Sequence, residues 1–318
     1  MKVPEKVKKI VFFVEGGIGK NIAGTAVVRA IKKQYPEKQL VVVASCVEIF
    51  MHNPNVKRTY NHGNPLHFYE DNIEEDTYCM KVEPYLHIDY VNKKKHITQC
   101  WCEMLDVKFD GTKPEIYITP NEKISADQRK EQIAGKKPLL LIQWTGGKPP
   151  MEKTEMKYKE ALAPMFRRSL LFKEIVSIVA SLKKDYCIGI VGHTNFPEIK
   201  DTNIVFHPIR NTLALLSVCD KFIGIDSFGQ HALAAYGKKG TIFWGGTSPA
   251  CLGYDLHNNV TKIACSTPFC HRPNSFLLDT QVSGQIWDCV EGELCLKHSA
   301  KEILNAFNEK TGKKKGEK

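Results

Sequence analysis

Short, unbroken apolar runs recur along this chain, each followed by a polar, glycine-bearing turn and then by a stretch of helical period. Ile10–Val14 is the first run, and it ends in Glu15-Gly16-Gly17-Ile18-Gly19-Lys20. Ile22, Ala26, Val27, Ala30 and Ile31 then repeat at helical spacing up to Tyr35-Pro36, and Leu40–Ala44 is a second strand-like run. Strand, glycine turn, helix and strand make a βαβ unit. The same alternation returns further on, with strands expected at Pro138–Trp144, Tyr186–Val191, Lys221–Ile225 and Thr241–Trp244 and helices at Leu171–Leu182, Thr212–Val218 and His231–Tyr236. Strands that are apolar throughout, rather than at alternate positions, belong to parallel sheets covered on both faces. The pattern therefore predicts an α/β protein of doubly wound sheets. Residues 60–135 are less regular, with strands expected near Tyr85–Val91 and Ile116–Ile118 and a helix within Asn121–Lys137.

Length sharpens this picture. At about 150 residues per domain, 318 residues suggest two domains. We place the boundary near residue 136, giving an N-terminal unit of residues 1–135, a C-terminal unit of 136–308 and a Lys-rich tail of 309–318. Hydrophobic residues at 42% and charged residues at 25% exclude a disordered chain, a collagen and a small disulfide scaffold as the overall class. No apolar stretch reaches the roughly 20 residues of a membrane span, and the run after Lys8-Lys9 is too short for a signal peptide. Eleven cysteines in that context point to free thiols or a metal in a reducing, cytoplasmic compartment. The net charge of +10 is compatible with phosphorylated ligands or DNA without selecting either.

In doubly wound sheets ligands sit beyond the carboxyl ends of the strands, which is where the polar clusters of this chain fall. The loop Gly16-Gly17-Ile18-Gly19-Lys20 has neither P-loop nor dinucleotide spacing. It is either a plain tight turn or a ligand loop at the positive end of a helix. Asp226-Ser227-Phe228-Gly229-Gln230-His231 reads as a capped helix start with a packed His, or as a phosphate-binding helix N-terminus. Thr145-Gly146-Gly147-Lys148 closes another strand, and residues 148–173 hold seven Lys or Arg against three Glu, a solvated surface or an anion-facing one. Cys265, Cys270, Cys289 and Cys295 are either reduced thiols or, as two pairs, ligands of a structural zinc.

The block from the leucine-rich Ile209–Val218 through Lys221–Ile225 to Asp226-Ser227-Phe228-Gly229-Gln230-His231 resembles the second-domain signature of the heptosyltransferase-like glycosyltransferases (glycosyltransferase family 9). Thr241–Pro249 resembles the strand and Gly-x-Thr-x-Pro loop that follow in that family, and Gly17-x-Gly19 through Thr25, Ala30 and Tyr35-Pro36 resembles its first loop and helix, with Asn53-Pro54 also fitting. The resemblance covers residues 10–60 and 138–255 and leaves the middle of the chain uncovered. It implies a GT-B architecture of two Rossmann-like domains facing a cleft. It also implies a cytoplasmic enzyme that transfers a sugar, with inversion and without a required cofactor or metal, from a nucleotide-diphosphate sugar to a glycan or other hydroxyl acceptor. Carried over by position, Asp226, Ser227, Gly229, Gln230 and His231 would hold the donor, with Thr145 and Lys148 beside its diphosphate. Gly16, Gly17 and Gly19 would form the acceptor-side loop.

Two positions depart from the family pattern. Phe228 separates Ser227 from Gly229, and Lys20 stands where the family commonly has an acidic catalytic base. Glu15 is the nearest carboxylate in sequence and the candidate replacement. Two other readings follow: a phage-type DNA glycosyltransferase acting on hydroxymethylated bases, suggested by the basic charge, and a non-catalytic nucleotide-sugar-binding protein, suggested by Lys20.

Overall fold

The apolar runs pair into two separate parallel sheets. The structure, a computed structural model, describes residues 3–63, 67–146, 168–192, 198–205, 208–266, 268–270 and 294–309. The first sheet is built from β1 (Lys9–Val14), β2 (Gln39–Ala44), β3 (Arg58–Asn61) and β4 (Thr77–Met80), in the order β3-β2-β1-β4. The second holds β5 (Leu139–Gln143), β6 (Cys187–Val191), β7 (Asn203–Val205), β8 (Lys221–Ile225), β9 (Thr241–Trp244) and β10 (Asn258–Thr261), in the order β10-β9-β8-β5-β6-β7. Every pairing is parallel.

Among the helices, α1 (Ile18–Gln34), α2 (Phe68–Asn72), α3 (Ile88–Val91) and α4 (Ile97–Met104) accompany the first sheet, and α5 (Pro120–Ala134) connects it to the second. The second sheet carries α6 (Phe172–Leu182), α7 (Ile209–Val218), α8 (Phe228–Ala235), α9 (Pro249–Leu252) and α10 (Ala300–Asn308). No helix of the described residues is long and apolar enough to cross a membrane.

α1 is the keystone of the packing. Its positions 20–28 are buried without interruption, so no polar face remains along that stretch. One side lies on the first sheet, another meets Trp101 of α4, which packs on Phe12 at 5.4 Å between ring centroids, and its start meets α8 from the second sheet. α5, which sequence places before the boundary at 136, lies against α7, and its Lys130 Nζ donates to Val218 O (3.1 Å) and pairs with Asp220 (2.7 Å).

Two expected strands do not form. In place of a strand at Tyr85–Val91 there is a 3-10 turn, Pro84–Leu86, followed by α3. The Glu83 carboxylate accepts from Tyr85 N and the His87 ring accepts from Asp89 N, so side chains cap two short helical starts. Residues 116–118 also lack a ladder. Arg29 and Arg210 bind the carbonyls of Lys113 and Tyr117, and Thr25 Oγ1 takes the Glu115 N–H, so side chains supply bonds that a neighbouring strand would otherwise give. Conversely β3, β4, β7 and β10 are strands that the apolar pattern does not announce, since each is short and polar, or a sheet edge.

Candidate functional site

Each sheet has a point at which the chain leaves a central strand in both directions. In the first sheet β2 and β4 flank β1, so the Glu15–Lys20 loop after β1 meets the segment after β4. In the second, β6 and β8 flank β5, and the switch point lies between Trp144–Gly146 and Asp226–Phe228. The two points face one another. A Cβ on Gly19 would stand 2.9 Å from His231 Cδ2 and 3.8 Å from Phe228 Cα, so only glycine permits α1 and α8 to approach this closely.

On the first side, the loop is tied down internally. Gly16 N donates to Ser45 Oγ (3.1 Å), and the Asn21 amide donates to both Gly16 O and Gly17 O (3.0 Å each). Lys20 enters the first turn of α1, which carries no acidic residue to suit the positive helix end. Its charge is balanced from elsewhere: Nζ stands 2.9 and 2.8 Å from the two oxygens of Glu83 and lies over the rings of Tyr85 (4.9 Å) and Trp101 (5.5 Å). Glu15 faces other partners, His62 Nε2 at 2.9 Å and the Lys81 ammonium. The hydrogen bond from Lys81 holds its carboxyl below the usual range, with His62 adding to the effect.

On the second side, Asp226 ends β8 with its side chain 4% exposed. Its Oδ2 has no hydrogen-bond partner among the described residues, with Arg168 Nη1 3.8 Å from that oxygen and His231 Nε2 4.0 Å from Oδ1. Arg168 Nη1 donates to Asp226 O at 3.3 Å, while its Nε is buried without a partner among the described residues. Gln143, at the end of β5, holds the start of α8: its Oε1 accepts from Gly229 N (3.0 Å) and its Nε2 donates to Ser227 Oγ (3.1 Å). Gly229 is enclosed, since a Cβ there would meet Gln143 Oε1 at 2.5 Å and Phe222 Cζ at 2.7 Å. Gln230 is fully buried and donates to Leu252 O (2.9 Å). His231 shares a hydrogen bond with the Tyr254 hydroxyl (2.8 Å), and burial pushes it down to about 3, so it is neutral at pH 7. Thr145 is buried against the Ser169 hydroxyl (2.7 Å).

The residues expected on the donor side thus divide into two groups. Gly229, Gln230 and Thr145 build the turn and its packing. Asp226, buried with Arg168 beside it, and Ser227 at the helix start supply the polar groups of the switch point. Lys148 lies outside the described residues. Sequence reasoning singled out neither Glu83 nor Gln143, and it met Arg168 only as one member of a basic run. Glu83 carries no motif and is 63 residues from Lys20.

The cysteines do not gather into a ligand group among the described residues: Cys265 and Cys295 are partly exposed, Cys270 is exposed, and Cys289 lies outside those residues. Another cluster, His87, Asp89 and Glu103, brings potential ligand atoms within 4.8 Å of one another. Its cation is Lys95, whose Nζ is 2.7 Å from Asp89 and 2.9 Å from Glu103.

No protein-family profile and no curated protein matches the sequence. Solved structures do match. The glycosyl transferase family 9 protein from Veillonella parvula superposes with a TM-score of 0.65 at 11% identity, over 94% of this chain and 96% of that one. ADP-heptose lipopolysaccharide heptosyltransferase II from E. coli gives 0.64 at 11% identity, over 94% and 97%. The dodecameric iron-containing heptosyltransferase TibC, solved with ADP-D-beta-D-heptose, gives 0.62 at 12% identity, over 95% and 76%. At these identities the likeness establishes the fold: the chain has the GT-B architecture of the heptosyltransferase-like glycosyltransferases, two Rossmann-like units facing a cleft.

Proposed function

We propose that the protein is an inverting glycosyltransferase that moves a sugar from a nucleotide-diphosphate sugar to a hydroxyl acceptor. The observation that carries this reading is the meeting of the two switch points across α1 and α8, with a buried carboxylate–guanidinium pair, Asp226 and Arg168, on one side and a carboxylate–ammonium pair, Glu83 and Lys20, on the other.

In this reading the second unit takes the donor. The Arg168 Nε–H, without a partner among the described residues, and the amides at the start of α8 bind the diphosphate and stabilise the charge that grows on it as it leaves. Asp226 orients Arg168, and its Oδ2, which has no hydrogen-bond partner among the described residues, accepts a hydrogen bond from a hydroxyl of the donor. His231, kept neutral by burial, adds no charge to the site. The acceptor oxygen approaches from the α1 side and bonds to the anomeric carbon on the face opposite the leaving diphosphate, which departs with the electron pair of the broken bond. Holding both reactants in one cleft makes the reaction effectively unimolecular. Heptosyltransferases that use ADP-heptose share this fold, so ADP-heptose is the first donor to try, and a glycan hydroxyl the first acceptor.

The test is a thermal-shift panel of nucleoside diphosphates and their sugars on wild type, Arg168→Ala and Asp226→Asn. A donor at 100 times its Kd stabilises the folded state by about 2.7 kcal/mol, a rise of several degrees in Tm. We expect one nucleotide sugar to give that rise and Arg168→Ala to weaken its binding at least tenfold. Folded wild-type protein that no nucleotide sugar stabilises would refute the transferase. Donor binding with neither transfer nor hydrolysis would leave a sugar-nucleotide-binding protein instead.

A further inference from the structure

We infer that Glu83 is the catalytic base for the acceptor hydroxyl and that Lys20 is its positioning residue, an inference that rests on the transferase reading above. Lys20 occupies the first turn of α1, and its ammonium is the inner member of the pair. Its side chain is 5% exposed, whereas that of Glu83 is 40% exposed, so the carboxylate is the solvent-accessible member of the pair. A buried ammonium must be paired, and Lys20 is fixed on three sides, by Glu83 and by the rings of Tyr85 and Trp101. It can therefore hold the carboxylate at a set angle.

The two oxygens of Glu83 are not equivalent. Oε1 accepts from Lys20 Nζ (2.9 Å) and from Tyr85 N (3.3 Å), while Oε2 accepts from Lys20 Nζ alone (2.8 Å) among the described residues. One lone pair of an exposed, oriented carboxylate oxygen is thus open to an incoming hydroxyl. The second unit is near: Gly19, the residue before Lys20, packs against His231 and Phe228 of α8. Glu15 is the poorer candidate. Lys81 and His62 both bind its carboxylate, and among the described residues no hydrogen bond or ion pair ties it to α8.

The step balances as follows. The acceptor oxygen forms its bond to the anomeric carbon while the bond from that carbon to the diphosphate breaks. The diphosphate leaves with the electron pair, and the hydroxyl proton passes to Glu83 Oε2, from which solvent removes it after product release. Lys20 keeps its proton throughout.

The experiment measures nucleoside diphosphate release from ADP-heptose, or from whichever donor of the panel stabilises the wild type, with a glycan acceptor or with water in its place. Glu83→Gln keeps an oxygen able to accept from Lys20 and Tyr85 N, and we expect kcat to fall by 10²–10⁴ with donor Kd changed by less than about threefold. Lys20→Met should also lower kcat. The double variant should be no slower than Glu83→Gln alone, because Lys20 acts only through Glu83. Lys20→Arg should restore most of the loss. Glu83→Gln retaining a tenth or more of wild-type kcat overturns the inference, as does loss of transfer in Glu15→Gln with Glu83→Gln still active. A wild type that neither binds nor turns over any donor fails the transferase reading itself, a separate outcome read before any variant is made.

Discussion

Arg210 offers the most quantitative test of how the two units are held. It lies on α7 and is nearly buried, and its guanidinium reaches three elements at once. Nε donates to Glu122 Oε1 on α5 at 2.7 Å, Nη1 to Glu48 O near the first sheet at 3.1 Å, and Nη2 to Tyr117 O at 2.8 Å and to the second Glu122 oxygen. Glu122 also closes the capping box of α5 with Thr119. The Arg210 hydrogen bond, joined by the bonds to Thr119, draws the Glu122 carboxyl from its usual 4.5 to about 2. A shift of that size corresponds to about 3 kcal/mol in favour of the folded, ionised state. The folded pKa is depressed, so this stability is complete above the unfolded value of 4.5 and is lost as pH falls toward 2. Glu122→Gln should therefore cost about 3 kcal/mol at pH 7. Its deficit against wild type should shrink by about 1.4 kcal/mol for each pH unit below 4.5. Urea unfolding of both proteins from pH 7 to pH 3.5 measures this directly. Arg210→Met should cost as much or more, and the cycle closed with the double variant should return a coupling of 2 kcal/mol or more, order of magnitude. A deficit below about 1 kcal/mol, or one that does not change with pH, would refute the assignment of this pair as the clamp.

Two further predictions bear on the approach of the units and on their buried rings. Gly19→Ala sets a methyl group 2.9 Å from His231 Cδ2 and 3.2 Å from its Nε2, so α1 and α8 must separate. The expected cost is about 1–3 kcal/mol with donor-induced stabilisation reduced at least tenfold, and a variant equal to wild type in both would show that the two helices do not bear on each other. His96 and His231 are both pushed to about 3 by burial, and His257 and His298 are also lowered. The His96 and His231 rings stay neutral when folded and take protons when unfolded, so stability should fall as pH drops below 6.5, by about 1.4 kcal/mol per unit for each of these two; a urea midpoint unchanged between pH 6.5 and pH 5 would contradict that burial.

What the sequence disclosed follows its physics closely. β1, β2, β5, β8 and β9 are apolar throughout because parallel strands are covered on both faces, and all five are visible as runs. The Asp226–His231 turn is visible because a strand end, small polar residues and a helix start fall together. β4, by contrast, reads Thr-Tyr-Cys-Met, an edge strand with one buried residue, and nothing local marks it. Missing β4 also hides Glu83, since it is the parallel pairing of Phe12 with Met80 that sets the segment after β4 beside the loop after β1. Gln143 is hidden for a similar reason: a polar residue at a strand end is unremarkable until β8 is known to lie next to β5, where its amide can hold the start of α8.

That pairing also explains how a lysine can stand at a helix start where the local rules favour an acid. The positive end of α1 disfavours Lys20 by roughly 0.3–1 kcal/mol, and burial of its ammonium would cost more if it were unpaired. Both costs are offset by a carboxylate from the next strand over, and the same short segment after β4 brings Lys81 to Glu15. The loop after β1 and the segment after β4 therefore form a crossed pair of ion pairs, acid to base and base to acid. Changing either residue of the Lys20–Glu83 pair leaves the other uncompensated, so the two are expected to be exchangeable only together. In the transferase reading, the acid beside the start of α1 is Glu83 rather than a residue of α1 itself. Glu83 stands in the segment after β4, where it also accepts from Tyr85 N, so that position along the chain and position in space no longer coincide.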